Sequence, residues 1–327
     1  MANVLVMYKE SDLIPMVATE NHIRQIEKCI SGEVYWCRNE AEALEKGYDA
    51  DVLFIWGGSG AMPEKYCAQS KLLKWINSFS AGVNPIMDSS ISNLPVKLTN
   101  AKGIHGKTMA LTTIGYMISF VRYSSELQRR QQKHIWSKKF DHQPKEIEGL
   151  TVGIVGAGSI GCEVARLSKS LGMKVLGVKR RVTSLPYFDE VYSNDDMDIV
   201  LAQADFVVIV TPLTDETRHM FDKHKFQIMK SEAVLINIAR GAVVNEADLI
   251  EALQTGEIGG AALDAVEEEP LAADSPLWDM ENVIITPHCA ADSERYMDRA
   301  IDQFCENLRH YEAGEPLINE IDMKQRY

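Results

Sequence analysis

Short apolar runs alternate with longer stretches of mixed polarity along the whole chain. Runs at 3–8, 33–37, 51–56, 73–78 and 96–99 have strand length. Segments 14–30, 39–46 and 63–70 read as helices between them. Such alternation predicts a parallel sheet covered by helices on both faces. This first α/β unit ends near residue 100. A long apolar helix is predicted next, over Thr108–Tyr123, with Met109, Thr113, Met117 and Val121 on one face. A polar, basic connector, Gln128–Glu148, leads out of it.

The pattern then starts again. Thr151–Val155 is a buried strand, and Ser159–Leu171 carries Ile160, Val164, Leu167 and Leu171 at helical spacing. Gly172 stands where a helix end favours positive φ. Further strands are predicted at 174–178, 205–210, 233–238, 260–263 and 283–286. A last helix, about Asp292–Glu312, lines up Tyr296, Ala300, Phe304 and Leu308, and Gly314 ends it. A helix starting beside the final strand of one domain can return the chain to the other. The expected fold class is therefore α/β, with two doubly wound parallel-sheet domains. Residues 101–291 form one, inserted into another built from 1–100 and 292–327. The length of 327 residues suits two domains.

Between the strand ending at Val155 and the following helix lies Gly156-Ala157-Gly158-Ser159-Ile160-Gly161. This is G-x-G-x-x-G in the strand–turn–helix context that a dinucleotide requires. Gly156 permits the tight turn, Gly158 lets backbone approach a pyrophosphate, and Gly161 lets the helix pack close. With Ser159 and Ile160 they bring the helix N-terminus to the phosphates. At the end of the next strand, NAD sites place an acidic residue for the ribose hydroxyl. This chain has Lys179-Arg180-Arg181. Three cations suit a 2′-phosphate, so NADP(H) is expected ahead of NAD(H).

Composition narrows the classes. A net charge of −13 argues against nucleic-acid and anionic-membrane partners. No secretory signal is expected from the first residues, and no apolar run approaches a membrane span. Six scattered cysteines lack metal-ligand spacing. Free thiols in the cytoplasm, and no metal, are expected. Gly106-Lys107-Thr108 is not a P-loop, because residue 101 is Ala where the pattern needs Gly.

Three more strand ends carry chemistry. Arg240 follows the strand 233–238, Glu269 follows 260–263, and His288 follows 283–286. In an open parallel sheet ligands bind at the carboxyl ends of strands. The Arg fork suits a carboxylate and a ketone oxygen together. An imidazole can give a proton to a carbonyl, and a neighbouring carboxylate keeps it charged. Arg240, Glu269 and His288 are the groups needed to reduce a 2-oxo acid.

The segments Leu235–Gly241, Leu263–Leu271 and Thr286-Pro287-His288 resemble, in order, the arginine, glutamate and histidine motifs of the D-isomer-specific 2-hydroxyacid dehydrogenases. The resemblance covers essentially the whole chain. It implies a Rossmann domain inserted in a flavodoxin-like substrate domain, a D-2-hydroxy acid product, and a homodimer joined through the cofactor domains. It implies that Glu269 is the catalytic carboxylate, with Glu267 and Glu268 as solvated neighbours. It further implies that Asp264 binds the nicotinamide carboxamide, that Thr211-Pro212 lines the adenosine side, and that backbone of Ser80, Ala81 and Gly82 holds the substrate carboxylate. Lys179-Arg180 resembles the NADPH-preferring glyoxylate/hydroxypyruvate reductase branch. One departure stands out: Leu111 takes a helix position where family members often carry Glu. The substrate side chain, read by loops near Trp56-Gly57-Gly58 and Phe79, stays open among glyoxylate, hydroxypyruvate and branched 2-oxo acids. A nicotinamide-sensing corepressor would keep the same motifs yet turn over negligibly. A formate or phosphite dehydrogenase would differ in the substrate pocket.

Overall fold

The structure is a computed structural model that describes residues 2–7, 17–58, 62–140 and 143–322. The chain divides into two compact units, Met1–Ile104 with Ser293–Tyr327, and His105–Asp292.

The first unit holds five parallel strands: β1 Val4–Met7, β2 Val34–Cys37, β3 Val52–Ile55, β4 Trp75–Ser78 and β5 Lys97–Thr99. Their order is β2-β1-β3-β4-β5. The order reverses between β1 and β3, as in a doubly wound sheet. Val52–Ile55 and Trp75–Ser78 are buried throughout. A strand covered on both faces must read as a continuous apolar run. The helix Tyr296–Ala313 closes this unit by burying Tyr296, Ala300, Phe304 and Leu308, and it ends at Gly314 with φ 70°.

The second unit holds seven parallel strands: β6 Thr151–Val155, β7 Lys174–Val178, β8 Glu190–Tyr192, β9 Phe206–Ile209, β10 Val234–Asn237, β11 Gly260–Leu263 and β12 Val283–Ile285. They run β12-β11-β10-β9-β6-β7-β8. The reversal falls at β6/β9, the crevice position for a dinucleotide. Val155, Val207, Leu235 and Leu263 belong to one core face, Ile154, Val208, Ile236 and Ala262 to the other. The helix Gly106–Val121 buries Ala110, Thr113, Ile114, Tyr116, Met117 and Val121.

Several sequence-based boundaries shift. The long helix ends at Val121, because Tyr123 adopts φ 55°. A separate helix, Ser124–Gln132, then occupies the start of the expected connector. It buries none of its residues, so it shows no apolar periodicity to read. A Glu126–Arg130 ion pair one turn apart supports it instead. The final helix starts at Tyr296, not Asp292. Strand β8 and the helices Asn84–Asp88, Met197–Leu201, Lys223–Ile228 and Glu246–Thr255 were absent from the expected pattern. Expected positions 8 and 14–16 lie outside the described residues. Leu111 is 63% exposed, so its side chain imposes no packing demand on the core.

Candidate active site

The phosphate turn is built by steric exclusion. Gly156 has φ 106°, and a Cβ there would stand 2.8 Å from the backbone of Val210 and 2.9 Å from Thr211 N. The turn therefore lies against the end of β9, beside the half-buried Thr211 and the exposed Pro212. A Cβ on Gly161 would meet Gly156 O at 2.6 Å, so only glycine lets the helix Ser159–Ser170 begin so close. Gly158 is different: nothing lies within 4 Å of its missing Cβ. Gly158 and Ser159 are exposed and Ile160 half-buried at this helix start. The residues present fit a pyrophosphate, with open space at Gly158 and free N–H groups in the first turn.

Lys179 follows β7 directly and is half-buried, while Arg180 and Arg181 are exposed. Among the described residues none of their side chains has a hydrogen-bonded or ion-paired partner. Three uncommitted cations at this strand end fit a phosphate.

The three candidate catalytic groups come together at the neighbouring strand ends of the same sheet. His288 Nδ1 lies 3.0 and 2.9 Å from the two Glu269 oxygens. Val266 N–H also donates to Glu269 Oε1 at 3.3 Å. No partner holds His288 Nε2 among the described residues. The His288 and Glu269 side chains remain 46% and 40% exposed, so a ligand can reach them. The hydrogen bond with Glu269 raises the His288 pKa above its ordinary value, against burial and the nearby Arg240 charge. Burial alone would raise Glu269. The His288 hydrogen bond and charge, the Val266 N–H and Arg240 outweigh it and leave Glu269 lowered. Burial lowers Arg240, and Glu269 opposes that shift.

The backbone around these groups is held tightly. Arg240 Nη1 donates to Ala239 O at 2.6 Å. Asn237, fully buried, accepts from Ala239 N at 3.0 Å and donates to Arg240 O and Ala265 O at 3.1 and 3.3 Å. It ties the arginine loop to the glutamate loop. A Cβ on Gly241 would stand 1.8 Å from Val266 O, so the two loops touch backbone to backbone.

Sequence reasoning missed several supporting residues. Glu267 is more than a solvated neighbour: its carboxylate accepts from Glu246 N at 3.2 Å and meets His219 Nε2 at 2.5 Å. Its own N–H donates to Glu246 Oε2 at 3.0 Å. The two glutamates clasp the catalytic loop to the helix Glu246–Thr255. A Glu-Glu-Glu run gives no sign of this, because the partners lie about twenty and fifty residues away. Asp264 is only 3% exposed. Its carboxylate accepts from Thr286 Oγ1 at 2.7 Å, Cys289 N at 2.9 Å and Ala290 N at 3.0 Å. Among the described residues no group of His, Cys, Asp and Glu could hold a metal ion. No helix of these residues is long and apolar enough to cross a membrane.

Ser80, Ala81 and Gly82 lie in the other unit, in a turn after β4. Ser80 Oγ donates to Gly82 O at 2.7 Å, and Asn100 Nδ2 donates to Ala81 O at 2.7 Å. These bonds fix the turn and leave the N–H groups of Ala81 and Gly82 without partners among the described residues. Phe79 stacks on Phe54, with ring centroids 5.0 Å apart, and Trp56 packs 5.5 Å from Phe79.

A phosphate turn at the switch point of a parallel sheet, with a paired imidazole and a guanidinium beyond neighbouring strands, is the equipment of a nicotinamide-dependent dehydrogenase. Comparison with known proteins gives the same class. Residues 114–290 match the D-isomer specific 2-hydroxyacid dehydrogenase, NAD binding domain. A glyoxylate reductase of Korarchaeum cryptofilum is 31% identical over 86% of this chain and 87% of its own. A D-isomer specific 2-hydroxyacid dehydrogenase family protein from Aeromonas salmonicida superposes with a TM-score of 0.86 at 33% identity, covering 99% of this chain and all of that one. An NADPH-dependent glyoxylate/hydroxypyruvate reductase from Sinorhizobium meliloti, solved with NADP and sulfate, gives 0.80 at 27% identity, with 99% and 100% covered. The chain belongs to the D-isomer specific 2-hydroxyacid dehydrogenase family.

Proposed function

We propose that this protein reduces a small 2-oxo acid to its D-2-hydroxy acid and prefers NADPH as hydride donor. The observation that carries the reading is the His288–Glu269 pair at 2.9 Å, with His288 Nε2 uncommitted and Arg240 beside it. Glu269 accepts the hydrogen bond from His288 Nδ1–H and, ionised, stabilises the imidazolium. The Nε2 proton is then the one available to a substrate oxygen. Arg240 binds the substrate carboxylate and polarises its carbonyl. In the other unit, the N–H groups of Ala81 and Gly82, without partners among the described residues and braced by Ser80, are the cradle proposed for a carboxylate. When bound, the nicotinamide supplies hydride to the carbonyl carbon. His288 gives its Nε2 proton to the carbonyl oxygen, and Glu269 holds the ring in place as its charge is lost.

Gly156, Gly158, Ser159, Ile160 and Gly161 would hold the pyrophosphate, with Thr211 and Pro212 on the adenosine side. Lys179, Arg180 and Arg181 would hold the 2′-phosphate, and the lack of side-chain partners for them among the described residues supports NADPH over NADH. The Sinorhizobium reductase, which uses NADPH, supports the same choice. Asp264, whose Oδ2 accepts from Ala290 N–H, would offer that oxygen to the nicotinamide carboxamide as well. Six unpaired thiols support a cytoplasmic location. Trp136, 99% exposed, and Ile135, 49% exposed, support a homodimer that covers them.

The test is a panel of glyoxylate, hydroxypyruvate and branched 2-oxo acids, each with NADPH and NADH, read as kcat/KM. Turnover of at least one 2-oxo acid, faster with NADPH, is expected. Tight cofactor binding with negligible turnover across the panel would overturn the enzyme reading in favour of a cofactor sensor.

A further inference from the structure

His288 sits in a backbone conformation that its side chain alone does not favour. Its φ is 53°, in the left-handed region where few residues other than glycine are found. A strained residue persists when its surroundings over-determine it. Here the surroundings are one buried carboxylate. Asp264 grips the chain on both sides of His288: Thr286 Oγ1 before it, and the N–H groups of Cys289 and Ala290 after it. Thr286 O also accepts from His288 N–H at 3.0 Å, folding the backbone over Pro287.

The proton directions along this chain are fixed by chemistry. A carboxylate accepts only, so the single Thr286 hydroxyl proton goes to Asp264 Oδ1. Thr286 Oγ1 also lies 2.6 Å from the Tyr116 hydroxyl. Tyr116 must then be the donor to Thr286. Tyr116 is 6% exposed and belongs to the helix Gly106–Val121, packed in the core below the sheet. A rigid helix is thereby linked through Tyr116, Thr286 and Asp264 to the backbone of the candidate proton donor. Nothing in the proton transfer itself calls for Tyr116 or Thr286.

We propose that Tyr116 and Thr286 are positioning residues that, through Asp264, lock His288 in its left-handed conformation and so keep Nδ1 on Glu269 and Nε2 free. The proposal rests on the reading of His288 as the proton donor. The ring must meet Glu269 at about 2.9 Å to stay charged, and ring position follows backbone position directly. Four ionisable groups act on this imidazole: Glu269 in contact, and Arg240, Asp264 and Asp292 nearby. The thiol of the adjacent Cys289 is itself raised by burial, then by Asp264 and Asp292. Loosening the Asp264 grip moves His288 relative to all of them at once, and the contact with Glu269 is the one most sensitive to distance.

Three variants test this: Thr286→Val, which keeps the shape and removes the hydroxyl, Thr286→Ser, which restores it, and Tyr116→Phe. The first readout needs no turnover. Histidine-labelled protein is titrated by NMR, with the His288 signal assigned by its loss in His288→Gln. Thr286→Val should lower the His288 pKa, Thr286→Ser should return it, and Tyr116→Phe should move it less in the same direction. In 2-oxo acid reduction, kcat at neutral pH should fall about 10-fold in Thr286→Val and about 3-fold in Tyr116→Phe, with smaller losses at acidic pH. A merely structural role would lower Tm while the His288 titration stayed at its wild-type value, and that result overturns the proposal. If Thr286→Val does not fold, Tyr116→Phe decides by the same titration. Should the wild type reduce no 2-oxo acid, the proposed function fails, while the titration still settles the positioning.

Discussion

Gly241→Ala probes whether the arginine and glutamate loops must touch for the site to work. A Cβ at residue 241 would stand 1.8 Å from Val266 O, 1.9 Å from Val266 C and 2.4 Å from Glu267 N. Real Cβ atoms essentially never come within 3.0 Å of a neighbour, so going from 1.8 to 3.0 Å the loops must part by about 1.2 Å. All three neighbours are backbone atoms, and no rotamer change relieves the clash. The displacement falls on the chemistry from both sides. Arg240 precedes the substituted residue, and Val266 N–H holds Glu269 Oε1. A misplacement of about 1 Å costs on the order of 100-fold in rate. Overpacking costs about 1–3 kcal/mol of stability, which a two-unit protein of this size can survive. The expected variant is folded, melts a few degrees lower, and loses about 100-fold in kcat/KM for its best 2-oxo acid. Cofactor affinity should change little, because the 156–161 turn lies on other strands. Steady-state kinetics beside a thermal melt and a cofactor titration make the measurement. A folded Gly241→Ala protein within about threefold of wild-type kcat/KM would refute the idea that this backbone contact sets the catalytic geometry.

Glu269→Gln weakens the hydrogen bond and removes the charge that together raise His288, so the alkaline limb of 2-oxo acid reduction should move to lower pH, with most activity kept at acidic pH where the ring is protonated anyway. An unmoved limb would show that another group holds the proton. The stability sign follows from the same pair. A raised His288 pKa stabilises the fold below the unfolded histidine value, and that share is lost as pH rises through the folded value. A lowered Glu269 pKa stabilises it above the unfolded carboxylate value, lost as pH falls through the folded one. The wild-type advantage in Tm over Glu269→Gln should thus be greatest between those limits. Replacing Lys179 with Asp together with Arg180→Ala should cut the NADPH preference by about 10–150-fold, the worth of a charge-assisted pair. An unchanged ratio of kcat/KM would remove the phosphate role from this cluster. Light scattering at micromolar concentration should give twice the 36.6 kDa chain mass, and a monomer would leave the exposed Trp136 without the expected cover.

The apolar pattern fixed most strands because buried parallel strands are apolar at every position, so β3, β9, β10 and β11 could be read without tertiary information. The helix Ser124–Gln132 could not be read that way, since it buries nothing and leaves no period. Gly156 and Gly161 were legible because one motif states the local steric rule. Arg240, Glu269 and His288 were legible as candidates because a strand end in a parallel sheet faces the crevice. Their pairing was another matter. The motif resemblance singles out Glu269, but what Glu267 does depends on how one loop folds, and only the structure gives Glu267 to Glu246 and His219 and measures the Glu269 contact with the imidazole. The closeness of Gly241 to Val266, and the grip of Asp264 on both sides of His288, likewise join residues some twenty to thirty positions apart. Sequence determines which groups a strand end can present. Tertiary packing decides which hydrogen bond each group makes, because a bond at 2.9 Å depends on where separate loops come to rest and not on spacing along either of them.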